Sequence, residues 1–328
     1  MDAALQAADL NRRREVWARY WAGGALHACA TSYGAEYGGA IAEFWRDVFG
    51  GLQPGQRVLD IATGNGALPR LLFACRSDVE CDAVDLSPVA PTWVDQLPPA
   101  ARQRLRFHDN TAAEGLSFAD GRFDLVVSQY GLEYCQLGDA AAQVRRVLGS
   151  RGRVAMVIHH VDSRPVELAR DELAHVGWLR LPDGLVDAAA QLLEPMARAA
   201  TPAGRDALAG DARANAAREH FNRLQRELSQ RLVGATCPDV LHEVRHALAQ
   251  VLATAQRHGE AAARDRLARL CRHLDDSRVR LEELVACALD ATGVDALVER
   301  LAPPGATVTV EELREGPWLM GWALRVAS

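Results

Sequence analysis

The chain of 328 residues contains no lysine, so all 37 of its cationic side chains are arginines. An arginine side chain stays protonated at ordinary pH, and it does not take the place of a Schiff-base lysine or of the lysine in a phosphate-binding loop. The missing lysine therefore excludes the enzyme classes that depend on such a lysine or on a lysine general base.

Long apolar runs and paired cysteine motifs are also missing. No apolar run approaches the roughly 20 residues of a membrane span, and the N-terminus, MDAALQAADLNRRR, lacks the charge order of a signal peptide. The seven cysteines form no C-x-x-C pair, which is typical of reduced thiols in a cytosol. The net charge of −6 argues against a nucleic-acid partner. These absences predict a cytoplasmic protein without a membrane or nucleic-acid partner.

The most informative segment spans residues 57–72 and reads RVLDIATGNGALPRLL. An apolar run ends in an acid, Asp60, before a glycine-containing turn and a helix-like stretch. Gly64 and Gly66 carry no Cβ, so the turn can bend sharply and a ligand can approach the backbone. A βα unit of this kind exposes backbone to a nucleoside-type ligand at the carboxyl end of a strand.

A second strand-like segment, residues 81–88, reads CDAVDLSP and reaches its acid at Asp85. A carboxylate at that position can accept both hydroxyls of a ribose, one on each oxygen. The glycine spacing then distinguishes a dinucleotide from other nucleoside-type ligands. A dinucleotide fingerprint needs G-x-G-x-x-G/A, but when the pattern is framed on Gly64 its third position is Pro69.

The pattern D-x-A-x-G-x-G from Asp60 to Gly66 resembles motif I of the class I S-adenosylmethionine-dependent methyltransferases. Further segments resemble later strands and motifs of that family in the right order: 106–118, 123–134, 141–160 and 307–327. The resemblance covers roughly residues 55–160 and 280–328. It implies a Rossmann-like α/β fold, with a seven-stranded mostly parallel sheet and an antiparallel last strand.

The resemblance also implies S-adenosyl-L-methionine as the cofactor and a set of residues that contact it. By their match to the family's motifs, these residues are Asp60, Ala62, Gly64, Gly66, Asp85, Leu86, Asp109, Asn110 and Gln129. The acid of the adenine-contacting loop stays open, because extra residues separate Asp109 from Leu116. Asp109, Asn110 and Glu114 are all candidates.

Four regions are predicted along the chain. Residues 1–53 form a helical segment, 54–161 the cofactor-binding core, 162–279 a helical insertion, and 280–328 the return of the chain to the core. In the first region an apolar stripe at helical spacing predicts a helix packed on the sheet, and its members are Ile41, Phe44, Trp45, Val48 and Phe49. The family's N-terminal segment often closes over the cofactor, so Tyr20, Tyr33 and Tyr37 are candidates to line the pocket.

The insertion is rich in alanine, arginine and leucine and shows little strand signal. Turn signals at 181–184, 201–204 and 237–239 divide it into several helices. A lid over the acceptor is the favoured use of this segment, and a homodimer surface is the alternative. Residues 280–300 are then predicted to form the last core helix.

Methyl transfer to a weakly acidic hydroxyl needs a group that removes a proton. Candidates lie at the carboxyl ends of the fourth and fifth strands, where Tyr130, His159 and His160 are expected. A histidine titrates near neutral pH and can serve as a general base, although only one of two adjacent strand residues faces the pocket. An ordinary histidine at a strand end is the competing interpretation.

Residues 242–246 read HEVRH and match the H-E-x-x-H pattern of zinc peptidases. Only three positions of this pattern are fixed, and Arg245 adds a charge where such sites usually have none. We therefore interpret the segment as a solvated helix face and predict no metal.

The sequence as a whole predicts an S-adenosylmethionine-dependent methyltransferase that acts on a small-molecule acceptor. Two alternatives stay open. The first is a NAD-dependent oxidoreductase, which the broken glycine pattern disfavours. The second is a protein that binds S-adenosylmethionine without catalysis, which only a turnover assay would distinguish from an enzyme. The acceptor and its reactive atom cannot be read from the sequence.

Overall fold

The computed structural model describes residues 3–26 and 38–327, which divide into two compact units. The first unit comprises Met1–Glu167 and Glu283–Ser328, and the second comprises Leu168–Glu282. The sheet lies in the first unit, whereas the elements of the second unit are helices.

The sheet has seven strands in the order β3-β2-β1-β4-β5-β7-β6. Strands β1 to β5 pair in parallel, and β7 runs antiparallel to both of its neighbours, β5 and β6. The strand bounds are β1 Arg57–Ile61, β2 Glu80–Val84, β3 Leu105–His108, β4 Phe123–Gln129, β5 Leu148–Ile158, β6 Thr307–Glu315 and β7 Trp318–Ala327. The predicted fold class is confirmed.

Helices cover both faces of this sheet. Among its described residues, the first unit has the helices α1 Ala3–Ala22, α2 Gly39–Gly50, α3 Ala67–Cys75, α4 Pro99–Arg102, α5 Leu137–Val147 and α13 Ala291–Leu301. Successive β1 side chains point to opposite faces, so Val58 packs in the apolar cluster with α2 and α3, and Leu59 in the cluster with α5 and α13. Burial on both faces explains why the strand reads as an apolar run.

Helix α2 buries the stripe that its spacing predicts. Ile41, Phe44, Trp45, Val48 and Phe49 are all buried, and they pack with side chains of β1, β4 and β5. The interpretation of this segment as a helix packed on the sheet is confirmed.

The second unit forms an apolar core of its own. Its helices are α6 Arg164–Leu179, α7 Leu185–Gln191, α8 Leu193–Arg198, α9 Pro202–Ala209, α10 Ala212–Gly234, α11 Asp239–His258 and α12 Glu260–Cys287, of which α6 begins and α12 ends in the first unit. Along α11 the buried face follows helical spacing through Leu241, Val244, Leu248 and Val251. The predicted turn at 181–184 falls between α6 and α7, whereas those at 201–204 and 237–239 run into the first residues of α9 and α11, so all three mark helix boundaries.

The prediction of one core helix over residues 280–300 is wrong. Helix α12 ends at Cys287 and α13 begins at Ala291. Between them the Leu289 N–H donates to the His159 carbonyl at 2.8 Å, which draws the backbone to the end of β5. Asp290 then caps α13, because its Oδ1 accepts from the Gly293 N–H at 2.8 Å. In the sequence, the signal for this new helix start was an aspartate, a preferred N-cap residue, inside an apolar pattern.

In the parts of the chain that the structure describes, no helix combines the length and apolar character needed to cross a membrane.

Candidate active site

The loop between β1 and α3 lies where the order of the strands reverses, between β1 and β4. In open α/β sheets, ligands bind outside the carboxyl ends of the strands at such a switch point. Gly64 and Gly66 have φ angles of +52° and +79°, and Ala62 has a φ of +55°. The positive φ values explain both glycines, since other side chains rarely adopt this region.

Packing gives a second reason for the glycines, and it differs from the one we expected. A Cβ on Gly64 would lie 2.7 Å from the Trp21 indole, and a Cβ on Gly66 would lie 2.7 Å from the Phe107 ring. Trp93 also packs against Gly66, and its Nε1 donates to the Asn65 carbonyl at 2.7 Å. The missing side chains therefore make room for aromatic rings of the protein itself.

Asp85 follows β2 directly and joins it to this loop. Its Oδ2 accepts from the Gly64 N–H at 2.8 Å, and its Oδ1 accepts from the Ser87 N–H at 2.8 Å. A carboxylate oxygen can accept more than one hydrogen bond, so each oxygen keeps capacity for a further donor. Burial raises the pKa of Asp85 to about 6, although the two backbone N–H groups oppose the shift.

Asp60 lies on the neighbouring strand, β1, and is also buried. Its Oδ2 has no hydrogen-bond partner among the described residues. Burial raises the pKa of Asp60 to about 8, the nearby Thr63 hydroxyl lowers it, and the charge of Asp85 raises it further. A buried carboxyl group with an unsatisfied oxygen is suited to a cationic ligand, which would favour its ionised form.

These carboxyl groups lie at the wall of a cavity of about 690 Å³. Its volume falls within the ~300–1,000 Å³ range of small-molecule sites. From the strand ends and their loops the lining includes Asp60, Ala62, Thr63, Asp85, Leu86, Thr111, Ala113, Glu114, Gln129, Tyr130, Tyr134 and Cys135. From α1 and the residues that follow it, the lining includes Leu10, Arg13, Arg14, Trp17, Trp21 and Leu26.

The lining contains part of the predicted cofactor set. Asp60, Ala62, Asp85, Leu86 and Gln129 all line the cavity, whereas Gly64 and Gly66 shape the adjacent loop. Of the three candidates in the adenine-contacting loop, Glu114 lines the cavity and Asp109 and Asn110 are exposed beside it. Glu114 Oε1 also accepts from the Gln136 N–H at 2.7 Å.

Gln129 and Tyr130 occupy the end of β4. Gln129 Oε1 accepts from the Trp45 Nε1 at 2.5 Å, and its Nε2 is buried without a hydrogen-bond partner among the described residues. Tyr130 has a φ of +50°, and its hydroxyl donates to the Met320 carbonyl at 2.7 Å. A tyrosine held in this uncommon conformation at a cavity wall is a candidate for function.

The two histidines lie behind the cavity wall and are absent from its lining. His159 is fully buried; both its backbone N–H and its Nδ1 bond to Glu133 Oε1, at 2.9 and 2.8 Å. Its ring stacks on Tyr130 with 4.1 Å between centroids. His160 instead packs on the Trp322 ring at 4.4 Å, and its Nδ1 accepts from the Asp162 N–H.

Helix α1 forms part of the cavity wall with tryptophans, whereas the sequence had indicated tyrosines as candidates to line the pocket. Tyr20 packs edge-on against Trp17 and is not part of the lining, and Tyr33 and Tyr37 lie outside the described residues. Trp17 and Trp21, one helical turn apart, stack on each other at 5.6 Å. Their i, i+4 spacing was the available signal, but the sequence did not show which surface they face.

The H-E-x-x-H segment lies on α11 in the second unit. His242, Glu243 and His246 are exposed, and Glu243 Oε1 pairs with His273 Nε2 at 3.0 Å. Within residues 3–26 and 38–327, no three potential ligating side chains group around a common point. That the segment holds no metal stays a prediction.

Comparison with known proteins agrees with this geometry. Residues 58–152 match a family model described as "Methyltransferase domain". The segment carries β1 to β4, the glycine loop and both buried aspartates. This match confirms the resemblance to the class I S-adenosylmethionine-dependent methyltransferases seen in the sequence, and the cofactor of such a domain is S-adenosylmethionine.

Among curated proteins, the chain is similar to the ubiquinone/menaquinone biosynthesis C-methyltransferase UbiE of Cupriavidus necator. The two are 28% identical over 165 residues, which cover 45% of this chain and 64% of the relative. The chain thus spans less than two thirds of that relative's length.

Among solved structures, the YcgJ protein from Bacillus subtilis is 30% identical, with 43% of this chain and 59% of that chain covered and a TM-score of 0.32. A geranyl diphosphate methyltransferase solved with GPP and sinefungin is 19% identical, with 50% and 73% covered and a TM-score of 0.38.

Proposed function

We propose that this protein transfers a methyl group from S-adenosylmethionine to a small-molecule acceptor. The observation that carries the proposal is the pair of buried carboxyl groups, Asp60 and Asp85, at the wall of one cavity in the matched domain. Asp60 has an oxygen without a partner among the described residues, and Asp85 has unused capacity on both oxygens. A ligand with a positive charge and a ribose satisfies both groups.

The lining supplies each part of the cofactor with a suited partner. Asp85 would accept the ribose hydroxyls, and Asp60 would take the ammonium group of the amino-acid tail. The buried Nε2 of Gln129 is a free donor for an anionic or carbonyl oxygen. Leu86 and Glu114 would flank the adenine. When bound, S-adenosylmethionine supplies the activated methyl group, and the chain's task is to align the acceptor and exclude water.

Among the catalytic candidates, we propose that Tyr130 contacts the acceptor, because it alone of the three lines the cavity. His159 would act through Tyr130 by holding its ring, since the two rings stack and Glu133 fixes the imidazole. A general-base role for His159 or His160 stays a prediction.

The acceptor is proposed to be a small molecule. The relative named above is a C-methyltransferase of ubiquinone and menaquinone biosynthesis, which supports a small acceptor without fixing its identity. The cavity lies beside aromatic and aliphatic side chains of α1, which would exclude water from the methyl group. A cytosolic location and the absence of nucleic-acid partners stay predictions; the six described cysteines are free thiols, as a reducing compartment requires.

A turnover assay tests the proposal. The purified chain is incubated with S-adenosylmethionine and a set of small aromatic, hydroxyl and amine acceptors, and the formation of S-adenosylhomocysteine is followed. Acceptor-dependent formation of that product is expected. Binding of S-adenosylmethionine without turnover of any acceptor would favour the non-catalytic alternative.

A further inference from the structure

Two side chains of α1 converge on a single carboxylate. Trp17 Nε1 donates to Glu283 Oε2 at 2.8 Å, and Arg13 Nε donates to Glu283 Oε1. Arg13 and Trp17 are four residues apart, so they project from the same face of the helix. The side chains of Arg13 and Glu283 are only 26% and 11% exposed, which distinguishes this pair from a solvated surface ion pair.

The same contact fixes a part of the cavity wall. Arg13 and Trp17 line the cavity, as does Tyr134. Arg13 Nη2 also donates to the Tyr134 carbonyl at 3.2 Å, and the Trp17 ring meets the Tyr134 ring edge-on at 5.8 Å. Glu283 itself is absent from the lining, so it would act on a bound ligand without contacting it.

The ion pair between Arg13 and Glu283 affects the charge that a bound ligand meets at the cavity wall. The guanidinium of Arg13 lies at the wall of a cavity that, under the proposed function, receives a sulfonium cation. Like charges at a partly buried site repel each other more strongly than in water. The carboxylate of Glu283 offsets the charge of Arg13 at the point where α1 closes the wall.

We propose that Glu283 is a positioning residue that holds α1 against the cofactor pocket and neutralises Arg13, so that the pocket favours the charged cofactor over its neutral-sulfur product. The inference rests on the proposed function, because it assumes that S-adenosylmethionine is the ligand. It goes beyond that function by assigning charge selectivity to a residue that does not contact the ligand.

The test compares affinities for S-adenosylmethionine and S-adenosylhomocysteine, which share the ribose, adenine, ammonium and carboxylate and differ in the methyl group and charge at sulfur. Calorimetry would be run on the full chain and on Glu283→Gln. In this variant, S-adenosylmethionine should lose roughly threefold to tenfold more affinity than S-adenosylhomocysteine.

Three further variants make the test specific. Arg13→Gln alone should shift the affinity ratio in the opposite direction, because it leaves the negative charge of Glu283 without its cationic partner. The Arg13→Gln, Glu283→Gln double variant should return the ratio to the wild-type value. Glu312→Gln removes an equal charge from an exposed pair with Arg314 on β6 and should leave the ratio unchanged.

Equal weakening of both ligands in Glu283→Gln would show a purely structural role and overturn the proposal. The proposal would also be overturned if the double variant failed to restore the wild-type ratio of S-adenosylmethionine to S-adenosylhomocysteine affinity. If Glu283→Gln does not fold, Arg13→Gln alone still decides the question, because an unchanged affinity ratio in that variant would overturn the proposal. Failure of the wild-type chain to bind S-adenosylmethionine would contradict the proposed function instead.

Discussion

Two aspartates at the ends of neighbouring strands carry most of the chemistry of the cavity. The sequence predicted both Asp60 and Asp85 as cofactor-binding residues, because each stands at the end of an apolar strand-like segment in a motif of the resembled family. It did not predict that Asp85 already accepts two backbone N–H groups. Those hydrogen bonds depend on the path of the loop, which no spacing in the sequence encodes.

Replacement of Asp85 should weaken cofactor binding and loosen the loop together. Asp85→Ala removes the proposed ribose acceptor and leaves the N–H groups of Gly64 and Ser87 without their partner. Hydrogen bonds to a charged group contribute about 1.5–3 kcal/mol, so S-adenosylmethionine affinity should fall about 10-fold to about 150-fold. Calorimetry measures the loss, and Asp85→Asn is the matched control, which keeps one acceptor oxygen. Unchanged affinity in Asp85→Ala would contradict the assignment of Asp85.

The raised pKa values predict how stability depends on pH. Burial raises the pKa of Asp60 to about 8 and that of Asp85 to about 6, above the ordinary value of 3.8. Between about pH 4 and pH 8 the folded chain therefore holds protons that the unfolded chain has released, and the free energy of unfolding should fall as pH rises. Binding of a cation favours the ionised carboxyl groups, so the stabilisation by S-adenosylmethionine should grow from about pH 6 to pH 7.5.

Thermal unfolding with and without S-adenosylmethionine measures both trends. Asp60→Asn is the control, since it removes the titrating group with little change in shape. The variant should lose much of the ligand-free pH slope. A slope identical to that of the wild type would show that Asp60 does not cause it.

At the scale of elements, the sequence predicted strands better than the contacts of helices. Apolar runs bounded by acids and glycines locate β1 and β2, and the apolar positions predicted on α2 are the buried ones. The wall made by α1 was not predictable, because Arg13 and Trp17 bond to Glu283, about 270 residues away in the chain. Hydrophobic periodicity describes which face of a helix is buried, but not the polar partner that fixes it.

The contact between α1 and the glycine loop predicts a coupled pair of substitutions. Gly64→Ala places a Cβ against the Trp21 indole at a positive φ, so it should lower stability and S-adenosylmethionine affinity. In a Trp21→Ala background the steric part of this loss should disappear, while the conformational part of about 1–2 kcal/mol remains. A double-mutant cycle of unfolding free energies measures the coupling. Strictly additive effects would mean that the two residues do not pack as described.

At the scale of the whole molecule, the composition of residues 162–279 predicted several helices, and the second unit consists of helices. Its role was not predictable, because the alanine- and leucine-rich faces that build its core are common to lids and to interfaces. The lid interpretation stays a prediction with a direct test by hydrogen exchange. Amide exchange in this unit should exceed that of the sheet and slow when cofactor and acceptor are both bound. Uniform protection without ligand response, together with a concentration-dependent dimer, would support the interface instead.

A calorimetric titration measures whether the cavity beside Asp60 and Asp85 binds S-adenosylmethionine. The full chain would be titrated with S-adenosylmethionine and, in parallel, with NAD. The proposed site predicts saturable binding of one S-adenosylmethionine per chain and no saturable binding of NAD, because the glycine loop lacks the dinucleotide spacing. Saturable binding of NAD without binding of S-adenosylmethionine would show that the cavity is not an S-adenosylmethionine site.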